Sequence, residues 1–148
     1  MQKEDIIILY TDGGSRGNPG PAAIGVFIKM NDGGERKYGE VIGNRTNNEA
    51  EYEALIFGLK KIRQLVGKEK TENMVVEVRT DSELMYSHLN GKYKIKEPTL
   101  KNLFIEVWNI KQDFKNVIFK HIPREENKVA DQCVNEALDS GGAQKGML

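Results

Sequence analysis

The chain has a single cysteine, Cys133, so no disulfide can close within it and a reducing compartment fits. Long apolar runs are missing as well. The stretch Ile6-Ile7-Ile8-Leu9 follows Lys3-Glu4-Asp5 and is too short for a signal-peptide core of roughly 7–15 residues or a membrane helix of roughly 20. We therefore expect no membrane partner and a soluble, cytoplasmic protein. Net charge is absent too. The 22 acidic side chains balance the 22 basic ones, so bulk electrostatics announces no nucleic-acid partner. No repeat, low-complexity tract or linker divides the 148 residues, which suit one domain over 1–140 followed by a flexible tail at 141–148.

What is present is a set of buried-strand patterns that end in acids. Ile6 to Thr11 is a β-branched run and a strand. Ala22 to Met30 makes a second, Asn31-Asp32-Gly33-Gly34 signals a hairpin, and Glu35 to Ile42 returns as a third. From Asn47 to Val66 the period turns helical, with Ala54, Leu55, Gly58, Leu59, Ile62, Leu65 and Val66 on one stripe. Met74 to Thr80 is a fourth strand and Ser82 to Leu89 a short helix. Pro98 opens a helix that runs to about Phe114, and Val117 to Ile122 is a fifth strand. Asn127 caps a last helix that ends near Ser140. Hairpin strands followed by alternating helices and strands imply an α/β fold, a mixed five-stranded sheet flanked by helices. Strands one, four and five run parallel through right-handed crossovers.

Asp12 follows the first strand and Asp81 the fourth, at the carboxyl edge where ligands of such sheets collect. Glu51 precedes Ala54, Leu55, Gly58 and Ile62 by helical spacings, which puts it on the buried stripe or at its rim. Glu49 and Glu53 fall on the opposite side as surface charges. Asp131 lies beside the apolar face of Ala130, Cys133, Val134, Ala137 and Leu138. A favourable helix-dipole position would also explain an Asp there. Four carboxylates converging from two strands and two helices repel one another unless a cation sits among them. An oxygen-only donor set selects a hard ion such as Mg²⁺, with Mn²⁺ as a substitute, over zinc or calcium.

These residues lie in four ordered segments: TDGGSRGNPG (Thr11 to Gly20), RTNNEAEYEAL (Arg45 to Leu55), TDS (Thr80 to Ser82) and HIPREENKVAD (His121 to Asp131). Together they resemble type 1 ribonuclease H over nearly the whole chain. The resemblance is to the compact archaeal and bacterial forms, because only Gly91-Lys92-Tyr93-Lys94-Ile95-Lys96 stands where other members carry a basic protrusion. It implies a ribonuclease H-like fold and an endonuclease that cuts the RNA strand of RNA–DNA hybrids, leaving 5′-phosphate and 3′-hydroxyl ends. It further implies two metal ions in the substrate complex, about 3.5–4 Å apart. The acidic quartet maps onto Asp12, Glu51, Asp81 and Asp131. By analogy Asp12 bridges both ions, Asp131 completes the water-activating site, and Glu51 with Asp81 serves the other.

The same resemblance assigns Asn18, Asn47 and Asn48 to groove reading and Thr46 to a phosphate contact, although a turn residue and helix caps would also use these types. Gly13, Gly14 and the turn to Gly17 let backbone approach the sugar. The 2′-hydroxyl there separates RNA from DNA. In place of the histidine loop of many members, which assists product release, the chain offers His121 at a strand end and Arg124 in the loop. His88 has no such case and reads as structural. The lysines at 92, 94 and 96 are the candidates for substrate grip. The expected partner is the RNA–DNA hybrid, with duplex RNA an open second substrate, and the expected state is a monomer. Two alternatives stand: another metal-dependent nuclease of the same fold, and a non-catalytic hybrid-binding module. TDGGSRGNPG is not a nucleotide loop, since it lacks a Gly-Lys-Ser/Thr ending and leads into a strand.

Overall fold

The computed structural model describes residues 5–147, with the side chains of residues 6–141. Its elements are β1 (Asp5–Ser15), β2 (Gly20–Lys29), β3 (Glu35–Arg45), α1 (Asn47–Val66), α2 (Lys68–Thr71), β4 (Met74–Thr80), α3 (Glu83–Leu89), α4 (Pro98–Lys111), β5 (Asn116–His121), a 3-10 turn (Arg124–Glu126) and α5 (Lys128–Met147). The sheet order is β3-β2-β1-β4-β5. β1, β2 and β3 pair antiparallel, whereas β4 is parallel to both β1 and β5, as the alternation predicts.

Period-two alternation sorts the two faces of the sheet. Ile7 and Leu9 on β1, Val26 and Ile28 on β2, and Val76 and Val78 on β4 are buried under α1 and α4. α1 contributes Leu55, Leu59 and Ile62 to that core, each worth about 1.5–3 kcal/mol when fully buried. Its start is set by a reciprocal cap: the Thr46 hydroxyl accepts from the Glu49 N–H while the Glu49 carboxylate accepts from the Thr46 N–H. On the other face, α5 lies across β2 and β3. It is seated where Gly25 and Gly39 stand opposite each other, since a Cβ on either would overlap a backbone carbonyl of Ala130 or Cys133.

Several boundaries differ from the sequence reading. β1 does not stop at Thr11. Gly13, Gly14 and Ser15 pair with Ile24, Ala23 and Ala22, because a neighbouring strand offers their backbone groups partners that a turn would not. The turn is confined to residues 16–19. Leu65 is exposed, as α1 there has run past the sheet, whereas Tyr52 and Ile56 are buried. Glu49 and Glu53 are not free surface charges: one caps α1 and the other pairs with Arg45 at 2.7 Å. α5 passes the expected stop at Ser140 and continues to Met147. The flexible tail expected at 141–148 falls on residues whose side chains, from 142 onward, lie outside the described ones. Only residues 90–97 join α3 to α4, so no protrusion is present. Among the described residues, no helix is long and apolar enough to cross a membrane.

Candidate active site

β1 and β4 are parallel neighbours with Thr11 opposite Thr80, so the residues that follow them, Asp12 and Asp81, stand side by side. α1 brings the third acid. A Cβ on Gly13 would overlap the Ala50 carbonyl and crowd the Glu51 amide, so only glycine lets α1 rest directly on β1. The contact is used: the Gly13 N–H donates to the Glu51 carboxylate at 2.8 Å. One oxygen from each of Asp12, Glu51 and Asp81 lies within 4.8 Å of the others. Asp131, on the first turn of α5, is not part of that tight group. It stands beside Asp12 and shares a hydrogen bond with its carboxyl, while the Asn135 side-chain amide donates to Asp131 at 3.4 Å.

These acids are under electrostatic stress. Burial first, then the charges of Asp81 and Asp131 and the hydrogen bond with Asp131, push Asp12 from 3.8 up to about 8, against the pull of the Gly13 N–H. Burial likewise drives Glu51 well above its ordinary value, with Asp12 and Asp81 adding to it and Gly13 and Arg124 opposing. Three converging oxygens, acceptor-only when ionised and mutually repelling, fit a hard divalent cation.

The other candidates separate by what they touch. Arg124 is exposed in the 3-10 turn and close enough for its charge to favour ionised Glu51. His121 is tied down at the edge of the site: its ring stacks on Tyr86 at 5.6 Å, and its Nε2 lies 3.3 Å from the Asp81 backbone oxygen. That oxygen only accepts, so Nε2 carries the proton. His88 is buried against the Tyr52 hydroxyl at 2.8 Å, in keeping with a structural role.

Asn18 and Asn47 lock the end of β1 and the 16–19 turn to α1. The Asn18 side-chain oxygen accepts from the Asn47 N–H, and the Asn47 side-chain oxygen accepts from the Ser15 N–H and hydroxyl. With both oxygens engaged, the NH₂ of each exposed amide is the group left to donate. Thr46 has the capping role already described. Asn48 shares a groove of about 510 Å³ with His88, Lys92, Tyr93, Lys94 and Lys96. Gly14 continues β1 opposite Ala23. Sequence reasoning placed Asn127 correctly at the start of α5, where its backbone oxygen accepts from the Asp131 N–H at 3.1 Å, but not its side chain. Asn127, expected to cap α5, instead turns its amide inward, donating to the Thr11 carbonyl at 2.8 Å and to the Asp81 carboxylate at 3.3 Å. Asn is among the favoured caps, so residue type alone pointed to the helix.

Comparison with known proteins agrees with this geometry. A family model for reverse transcriptase-like proteins matches residues 10–137. Ribonuclease HI of Halobacterium salinarum is 38% identical over 131 residues, which span 88% of this chain and 63% of that protein. A bifunctional protein of Mycobacterium tuberculosis is 35% identical over 138 residues, or 90% of this chain, but the match spans only 36% of its length. Among solved structures, LC11-RNase H1, isolated from compost by a metagenomic approach, is 50% identical, with a TM-score of 0.85 over 93% of this chain and 98% of that one. The same protein has been solved in complex with an RNA/DNA hybrid, again at 50% identity and a TM-score of 0.85, covering 91% of this chain and 98% of that one.

Proposed function

The chain belongs to the type 1 ribonuclease H family, and on that footing we propose that it hydrolyses the RNA strand of RNA–DNA hybrids, leaving 5′-phosphate and 3′-hydroxyl ends. The observation that carries this reading is the convergence of Asp12 within β1, Asp81 just past the parallel strand β4, and Glu51 near the start of α1. These three residues, with Asp131 alongside, would hold Mg²⁺, or Mn²⁺ in its place, two ions being present once substrate is bound. Such ions supply an activated water and neutralise charge on the leaving oxygen.

The protein's own groups orient the substrate. Glu51, fixed by the Gly13 N–H, and the backbone from Gly13 to Gly17 are placed to read a 2′-hydroxyl beside the cleaved phosphate. The exposed amides of Asn18 and Asn47 suit the acceptors of a minor groove, and Asn48 adjoins them. The Thr46 hydroxyl still has its proton to donate to a phosphate of the DNA strand. Lys92, Lys94 and Lys96 line the neighbouring groove and grip the backbone. Arg124, rather than the engaged His121, is the loop residue free to help product leave. Duplex RNA also carries 2′-hydroxyls and is the second substrate to try. The lone Cys133 suits a reducing cytoplasm, and we assign a monomer.

The test is hydrolysis of an end-labelled hybrid, duplex RNA and duplex DNA, in Mg²⁺ and in chelator. Hybrid should be cut only with the divalent ion, and Asp12→Asn should abolish cutting while the protein stays folded. Duplex DNA cleaved as fast as hybrid would replace this reading with a broader nuclease. A fully active Asp12→Asn variant would remove the site assignment.

A further inference from the structure

Asn127 lies between the 3-10 turn and α5, four residues before Asp131, and is only 1% exposed. Its side-chain nitrogen has two partners, the backbone oxygen of Thr11 at 2.8 Å and the carboxylate of Asp81 at 3.3 Å. The carbonyl only accepts, as does the carboxylate when ionised, so the amide must present its NH₂ to them, and its orientation is fixed by chemistry. The other end of the amide is left wanting. Its oxygen is buried without a hydrogen-bond partner among the described residues, as is the hydroxyl of Thr11 on β1. A cap at the start of α5 would have used that oxygen to accept from the helix. Asn127 forgoes this bond and keeps an unsatisfied buried acceptor, which a residue serving helix stability alone would avoid.

What the two bonds join explains the sacrifice. Thr11 immediately precedes Asp12, Asp81 is the acid after β4, and Asn127 immediately precedes the helix that bears Asp131. Mutual repulsion opposes that gathering, since one oxygen from each of Asp12, Glu51 and Asp81 lies within 4.8 Å of the others. A neutral donor can bind a carbonyl and a carboxylate at once without adding charge. We propose that Asn127 is a positioning residue: its side-chain amide holds Asp81 and β1 at Thr11 at metal-ready spacing and sets the approach of α5. The inference rests on the reading of the acidic cluster as a metal site.

Partners that hydrogen-bond a ligating carboxylate typically matter by about 10–100-fold in metal affinity. Calorimetric titration of Mn²⁺ into the substrate-free full chain should therefore show about tenfold or more weaker binding for Asn127→Leu, which keeps the shape, and for Asn127→Ala. The Mg²⁺ concentration for half-maximal cleavage should rise by a similar factor, with the KM for hybrid unchanged and activity largely restored by excess Mg²⁺. In the wild type, the Asn127 side-chain amide protons should exchange with solvent far more slowly than those of Asn18 or Asn47. That measurement decides the matter even if both variants fail to fold. Unchanged Mn²⁺ affinity in a folded variant, or rapid exchange of the Asn127 amide, would overturn the proposal alone. Failure of the wild type to bind Mn²⁺ or Mg²⁺ would overturn the metal-site reading, and this inference with it.

Discussion

Asp12 stands under physical tension, because burial and two acidic neighbours act on it together. In the metal-free protein its carboxyl keeps a proton up to about pH 8, whereas an ordinary one releases it near 3.8. Between those values the folded chain binds more protons than the unfolded one, so stability must fall as pH rises. The same direction holds for Glu51. Glu77 runs the other way: burial raises it, but hydrogen bonds from Lys120 and Arg79 prevail and hold it below 4.5. Its contribution is lost only as pH drops below that value. Burial also holds His88 below 6.5, so it opposes the trend at acid pH but not above neutrality. The metal-free thermal midpoint should therefore be higher at pH 7 than at pH 8.5. Asp12→Asn should raise the midpoint at the upper pH and flatten the slope, as should added Mg²⁺ in the wild type. Scanning calorimetry in chelator checks this, and a wild-type midpoint that climbs with pH across the window would contradict it.

Among the elements, α5 is the one whose seat is most demanding. It lies on Gly25 and Gly39, and an added methyl at either meets helix backbone rather than a side chain that could swing away. Gly25→Ala should push α5 off the sheet and cost about 1–3 kcal/mol, as overpacking does. Asp131 should move with the helix while Asp12, Glu51 and Asp81 keep their cluster. Urea denaturation with a parallel hydrolysis assay would show a lower midpoint and reduced turnover. An unshifted midpoint would mean that the helix does not rest there. This dependence was not legible in the sequence, where a glycine within a strand signals only weakened pairing. Patterns generated by one element on its own were legible: the β1 and β4 runs, the α1 stripe with Glu51 on it, and the hairpin at Asn31 to Gly34. Features created when elements meet were not. Gly13 and Gly14 looked like turn residues because their partners on β2 are remote in the chain. Leu65 kept the helical period past the point where a partner exists. Asn127 has the residue type of a cap, and only the closeness of Thr11 and Asp81 diverts it.

For the whole molecule, zero net charge means that attraction to a polyanion must come from local arrangement. Lys92, Lys94 and Lys96 sit together beside Asn48, on the segment that replaces a larger insertion. Changing all three to glutamine should raise the KM for hybrid and flatten its dependence on salt, by roughly 0.9 in the log–log slope for each phosphate that is no longer neutralised. The single-turnover rate at saturating hybrid should stay close to wild type. An unaltered salt slope would locate the grip elsewhere on the surface. The order of the chain has a further consequence, for how the protein is made. Domains form from the amino terminus as the ribosome delivers them. A nascent chain that has emerged through β4 and the residue after it already contains Asp12, Glu51 and Asp81. It has neither β5 to flank β4, nor α5 to cover the paired glycines, nor the amide that ties β1 to Asp81. The four acids and the amide that ties β1 to Asp81 are therefore all present only once the chain has been made through Asp131.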